Sequence, residues 1–261
     1  MFDVHFVFGI FGNIAALILF LVPLITFWKI LKMKSTDQFS GIPYVSTLLN
    51  CLLSAWYGLP FVSPNNILVS TINGTGSVIE LCYVIVFLFY IRDKKYRAKI
   101  FGLLVIVLLV FGIIAVVSIF ALHGNGRKLL CGFAAAIFSI CMYASPLSIM
   151  RMVIRTKSVK YMPFNLSLFV FLCGTSWFVF GLLGGDPFVA VPNGVGSVLG
   201  AMQLILYAIY KDWKSIGKKS TSIPAEGKQV GESEMEMGYA HANGIAGQGI
   251  VIQAEKKKNG I

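Results

Sequence analysis

Charge is what this 261-residue sequence has least of. Asp, Glu, Lys and Arg together make up 13% of it, where a soluble domain carries about a quarter. With 57% apolar residues, too little polar surface remains to face water, so a soluble fold is excluded and lipid is the solvent for most of the chain. Acidic residues are scarcer than basic ones, 11 against 22, for a net charge of +11. The basic residues lie between and after the apolar runs and form no stripe with interleaved aromatics, which sets nucleic-acid binding aside. No nucleophile–base set, phosphate loop or metal-ligand cluster is present, so neither catalysis nor a metal nor any other cofactor is expected. The five cysteines, Cys51, Cys82, Cys131, Cys141 and Cys173, all fall inside apolar runs. They read as buried small apolar residues rather than as disulfides. No cleavable leader is expected, because no basic stretch precedes the first apolar run, which is too long for one.

What the sequence has in abundance is apolar runs long enough to cross about 30 Å of hydrocarbon. Seven are predicted, near Phe6–Trp28, Ile42–Val62, Leu68–Ile91, Ile100–Leu122, Leu129–Ile154, Pro163–Leu183 and Phe188–Tyr210. Twenty of the 22 basic residues fall in the first, third and fifth connections and the tail, and only Arg127 and Lys128 lie on the other side. Basic residues stay cytoplasmic, so the N-terminus is expected outside and the C-terminus inside. From about Ser215 the periodicity gives way to Gly, Ser, Glu and Lys, the composition of a disordered cytoplasmic tail. Its Ser220, Thr221, Ser222 and Ser233 are the kind of residue that any such tail carries.

Two segments repeat. Asn73–Val78 reads NGTGSV and Asn193–Val198 reads NGVGSV. Pro23-Leu24 is followed 11 residues after the proline by Lys34-Ser35, and Pro146-Leu147 at the same spacing by Lys157-Ser158. Pro43 and Pro163 open the next run of each copy. Helices one to three thus correspond to five to seven. A three-helix unit repeated directly would be inverted, and an unmatched fourth helix restores the orientation. The expected fold is an all-α membrane protein of seven transmembrane helices, two parallel three-helix bundles joined by linker helix 4. Residues 1–98 form the first repeat, 99–124 the linker, 125–213 the second repeat and 214–261 the tail. Repeats of this kind are related by an axis along the membrane normal, with a solute site near the midplane.

Polar residues inside the spans are the functional candidates, since an unpaired amide in lipid costs about 2–7 kcal/mol. Asn73 and Asn193 occupy equivalent places facing the axis. They offer uncharged donors and acceptors suited to a hydroxyl-rich neutral solute, although a helix-to-helix hydrogen bond would satisfy them too. Ser54 and Trp177 sit mid-span in matching helices. The indole can stack on a sugar ring or simply pack. Pro23, Pro43, Pro146 and Pro163 fall at one depth on the cytoplasmic side, where they either form a hinge set or are ordinary membrane prolines. Tyr57 and Asp186, near the outer ends, can meet as a latch, or Asp186 can be a solvated loop charge. Glu80 is a carboxylate well inside a span, open to a proton-coupling or a structural role. A seven-helix receptor would share the outer N-terminus, but the parallel repeat, short loops and lack of loop cysteines argue against it.

The stretches KSTDQFSGIPY, LLNCLLSAWYGLPF, STINGTGSVIE, CMYASPLSIM, KSVKYMPF, GTSWFVFGL and DPFVAVPNGVGSVLG resemble plant SWEET sugar transporters, most closely the hexose-preferring first clade, over about residues 1–213. The resemblance implies bidirectional, energy-independent sugar uniport by alternating access, with glucose or a similar hexose as substrate. It implies that Asn73, Asn193, Ser54 and Trp177 bind the sugar, that the four prolines act at a cytoplasmic gate, and that Tyr57 and Asp186 form an outer gate. It also implies packing or gating importance for Gly58 and Gly181, and a plasma-membrane location. A proton-coupled symporter using Glu80 is the alternative. The partners expected are a monosaccharide, membrane lipid and further copies of the chain. The Gly181/Gly185 and Gly196/Gly200 spacings serve packing within one subunit as easily as between subunits.

Overall fold

The computed structural model describes residues 4–36 and 39–211; the tail positions singled out above lie outside them. Among the described residues the chain forms nine helices: α1 (Val4–Leu21), α2 (Leu24–Met33), α3 (Ile42–Tyr57), α4 (Ile67–Tyr90), α5 (Lys94–Phe120), α6 (Gly124–Met142), α7 (Ala144–Thr156), α8 (Phe164–Leu183) and α9 (Pro187–Tyr210). α1 and α2 make one 30-residue run and α6 and α7 one 33-residue run, so that six runs are long and apolar enough to cross a membrane. α3, with 16 residues, falls short of that length. It stops at Tyr57, and Val62 lies in the turns beyond. α5 starts at Lys94 rather than at Ile100, because Asp93 caps it by accepting from the Lys95 N–H at 2.8 Å.

Both helix breaks follow from proline. Pro23 has no N–H to offer Leu19, and Pro146 none to offer Met142. A short i→i−3 bond, Val22 N–H to Leu19 O at 3.3 Å, takes up the first of these carbonyls, and near the second break Tyr143 N–H bonds Ile140 O at 3.0 Å. Next to the first break, the Tyr83 hydroxyl donates to the Phe20 carbonyl at 3.0 Å. The rods that follow end alike: Lys34 has φ 51 and ψ 36, and Lys157 has φ 52 and ψ 35. Two lysines thus take the left-handed position that glycine usually fills at a helix end.

The packing is paired in the same way. α1 packs on α4 and α8, while α6 packs on α9 and α3; α3 lies against α4 as α8 lies against α9; α2 touches α4 as α7 touches α9. α5 lies on α3 and α6. Close approach depends on Gly58 and Gly181. A Cβ on Gly58 would stand 2.5 Å from the Ser70 N, and one on Gly181 2.5 Å from the Ala190 N. The outer face is apolar, with Phe89 and Phe120 each 77% exposed, as a lipid-facing surface requires. Cys51 and Cys131 are buried and Cys173 half-buried, but Cys82 and Cys141 are exposed on that outer face, contrary to the expectation that all five are buried.

Candidate functional site

Two adjoining cavities run through the middle of the bundle. One, of about 170 Å³, is lined by Ser54, Asn73, Trp177 and Asn193 together, with Tyr57 at one end. The other, of about 220 Å³, continues toward Pro146 and Gln203. Asn50, Ser139, Cys173 and Asn193 line both.

The wall of the first cavity is built in pairs. Pro23 and Pro146 are 123 residues apart, and Asn73 and Asn193 are 120 apart. At these two offsets Ala16 matches Ser139, Asn50 matches Cys173, Ser54 matches Trp177, Val69 matches Val189 and Ile72 matches Pro192, and every one of these residues lines the cavity. The two amides are held identically. Asn73 Nδ2 donates to Val69 O at 2.9 Å, and Asn193 Nδ2 to Val189 O at 2.8 Å. Each donation spends one amide hydrogen within the helix. The carbonyl oxygen and the second hydrogen have no other partner among the described residues, so each amide keeps one acceptor and one donor for a solute. The Trp177 indole N–H is likewise without a partner among the described residues.

Asn50 was not singled out from the sequence, although an amide in mid-helix is the same signal that exposed Asn73. Its carbonyl accepts from Ser139 Oγ at 2.7 Å, which ties α3 to α6 and leaves the Asn50 amide hydrogens as donors. Pro192, also missed, interrupts α9 just before Asn193, and its carbonyl accepts from the Tyr143 hydroxyl at 2.7 Å. Glu80 lines neither cavity. It is fully buried, and its carboxyl oxygens have no hydrogen-bond partner among the described residues.

Tyr57 and Asp186 do meet. Asp186 Oδ2 accepts from the Tyr57 hydroxyl at 2.5 Å, from Asn66 Nδ2 at 2.6 Å and from Ser63 Oγ at 3.3 Å. Lys128 Nζ stands 3.6 Å away from the solvent side. Oδ1 accepts from the Phe188 N–H at 3.0 Å, so the same carboxylate caps α9. At 3% exposure a carboxylate is tolerable only with such partners. Ser63, Asn66 and Lys128 were not foreseen. Asn66 was nevertheless recoverable, since it lies 120 residues before Asp186. Of this cluster Tyr57 lines the cavity.

The prolines lie toward the other end. Pro23 sits at the α1–α2 break, Pro43 in the first turn of α3, Pro146 in the first turn of α7 and Pro163 at the N-cap of α8. Pro146 lines the second cavity.

Comparison with known proteins gives consistent matches. The family model described as "Sugar efflux transporter for intercellular exchange" matches twice, over residues 6–95 and 129–215. The bidirectional sugar transporter SWEET1a of Oryza sativa subsp. japonica is 64% identical over 232 residues, 89% of this chain and 83% of that protein. The bidirectional sugar transporter SWEET1 of Arabidopsis thaliana is 70% identical over 206 residues, 79% and 83% of the two chains. A solved structure of a eukaryotic SWEET transporter superposes with a TM-score of 0.78 at 48% identity, covering 80% of this chain and 97% of its own.

Proposed function

The chain belongs to the MtN3/SWEET family of bidirectional sugar transporters, and we propose that it carries glucose or a similar hexose by uniport and alternating access. The observation that carries this reading is the convergence of Ser54, Asn73, Trp177 and Asn193 on one cavity of about 170 Å³. At about 30 Å³ per water in the liquid, this cavity and the adjoining one of about 220 Å³ together have room for on the order of a dozen waters, close to the number of non-hydrogen atoms in a hexose. A sugar hydroxyl both donates and accepts. Asn73 and Asn193 supply acceptors, Asn50 supplies donors, and Trp177 supplies a flat apolar face for the ring's C–H groups. All are neutral, which suits an uncharged solute.

Alternating access needs one closure on each side of the site. The Asp186 cluster is the outer one, and Pro23, Pro43, Pro146 and Pro163 form the cytoplasmic hinge set; the proline breaks in the α1–α2 and α6–α7 rods favour this assignment. The paired lining and the double family match support two parallel repeats, residues 1–98 and 125–213, with residues 99–124 as linker. Gly58 and Gly181 let each repeat's helices close beneath the latch. The loop charges favour an outer N-terminus and a cytoplasmic tail, and the resemblance to the first clade favours a plasma-membrane location. The burial of Glu80 away from both cavities favours uniport over proton coupling.

Uptake into liposomes tests this with glucose, galactose, fructose and sucrose, each with and without a pH gradient. The expected result is saturable hexose equilibration, little sucrose uptake and no response to the gradient. Concentrative uptake under the gradient would overturn uniport. Asn193→Ala should abolish glucose uptake while leaving the protein monodisperse, and wild-type transport by that variant would remove the amide from the site.

A further inference from the structure

Glycine in mid-helix costs roughly 1 kcal/mol relative to alanine, so Gly12 in α1 calls for a reason, and the reason is in contact with it. A Cβ built on Gly12 would stand 2.7 Å from Cε2, 2.8 Å from Nε1 and 3.1 Å from Cδ2 of the Trp177 indole. The indole therefore lies flat on the bare backbone of α1. A second approach is closed by Phe180. The Phe180 ring meets it edge-on at 5.1 Å and 75°. Phe180 is itself fixed, 1% exposed, stacked on His5 at 3.9 Å and seated on Gly9, where a Cβ would lie 2.9 Å from the ring. The indole also lines the cavity, which gives it room to move.

We propose that Gly12 is a positioning residue that sets the width of the sugar cavity, by seating Trp177 against α1 and so deciding which sugars fit. The inference rests on the reading of that cavity as the sugar site. The matching pair in the other half of the molecule is built the opposite way. The residue 123 positions after Gly12 is Ala135, and the residue 123 before Trp177 is Ser54; both line the same cavity. A methyl is accepted where the facing residue is serine, and none where it is tryptophan.

A methyl at position 12 must move the indole by about 1 Å to regain a carbon–carbon separation of roughly 3.5–4.0 Å, and the movement narrows the cavity. The test is a double-mutant cycle in liposomes with Gly12→Ala, Trp177→Phe and the pair together. It reads the half-saturation concentration for glucose and for xylose, which lacks the sixth carbon. In the parent background Gly12→Ala is expected to raise the glucose value roughly five- to hundredfold, the range of overpacking in a filled site, and the xylose value less. In the Trp177→Phe background, where the smaller ring leaves room for the methyl, the same change should alter the glucose value less than threefold, within the error of additivity of about 0.5 kcal/mol. Equal losses in both backgrounds would mean that the methyl merely spreads α1 from α8, and no loss in either would mean that the indole does not depend on Gly12. Both results overturn the proposal. If Gly12→Ala fails to fold, the pair decides: failure to fold there as well overturns it, and recovery supports it. A parent that moves another sugar refutes the hexose reading alone, and the cycle is then read with that sugar.

Discussion

Removing one hydroxyl from the latch should open the transporter on that side. Tyr57→Phe deletes the 2.5 Å donation to Asp186 and little else, because the ring's edge contact with Phe188 at 5.9 Å survives. A hydrogen bond to a charged group contributes about 1.5–3 kcal/mol. Once the latch opens, water replaces the lost partner, so the loss falls on the closed state. The closed-to-open ratio should then drop roughly 10- to 150-fold, at 1.4 kcal/mol per factor of ten. Cys173, which lines both cavities, is a built-in reporter. With the other four cysteines replaced by serine or alanine, a membrane-impermeant maleimide added on the latch side reaches it only through the open latch. Its labelling rate should rise by about tenfold or more in Tyr57→Phe. Lys128→Gln removes a pair that is 3.6 Å long, with the lysine 34% exposed, and such pairs contribute about 0–1 kcal/mol. Its effect should stay below roughly fivefold. The reasoning is refuted if the folded Tyr57→Phe protein labels at the parent rate, or if Lys128→Gln has the larger effect.

Other consequences can be measured directly. Gly181→Ala sets a Cβ 2.5 Å from the Ala190 N and 2.8 Å from its Cα; backbone cannot rotate away, so a lower thermal midpoint is expected, corresponding to about 1–3 kcal/mol. Lys34→Gly relieves a non-glycine residue at φ 51 and should raise the midpoint by the equivalent of about 1 kcal/mol. Pro23→Ala combined with Pro146→Ala restores the two missing N–H donors and should slow sugar exchange more than it changes half-saturation; an unchanged exchange rate would leave these prolines as packing residues.

How much of this was legible in the sequence depended on whether a residue's partner is local. Asn73 and Asn193 announce themselves because an amide in an apolar helix is anomalous wherever it faces, and the duplicated NGxGSV motif gives them the same orientation. Ser54 and Trp177 could be named, but their convergence on one cavity required the bundle. Asn50 carried the same anomaly and no motif to draw attention to it. The helix breaks illustrate a different limit. Hydropathy runs straight through Pro23 and Pro146, so apolar periodicity counts one span where the backbone makes two helices. At α5 the basic residues Lys94, Lys95, Arg97 and Lys99 set the start of the predicted span at Ile100. They did not mark the end of the helix, which a cap decides and lipid does not.

The latch and the two cavity asparagines treat the duplication in opposite ways, and electrostatics accounts for the difference. In the two-repeat reading Asn66 and Asp186 are counterparts, and they are hydrogen-bonded to each other at 2.6 Å, which is possible only close to the axis. Two aspartates at that point would set like charges in contact within a buried site, where one could not remain ionised. Two asparagines would leave Tyr57 and Lys128 without a carboxylate. One of each gives a single anion with its donors arranged around it. The stretch from Tyr57 to Asn66 is three residues longer than the matching one from Phe180 to Asp186, and it carries Ser63, which also bonds the carboxylate. Tyr57, too, stands alone. Its counterpart Phe180 has no hydroxyl and packs instead on Trp177. Asn73 and Asn193 face the cavity rather than each other, so nothing penalises keeping both. Identity is retained at these two amides, which do not touch, and is broken at Asn66 and Asp186, which do.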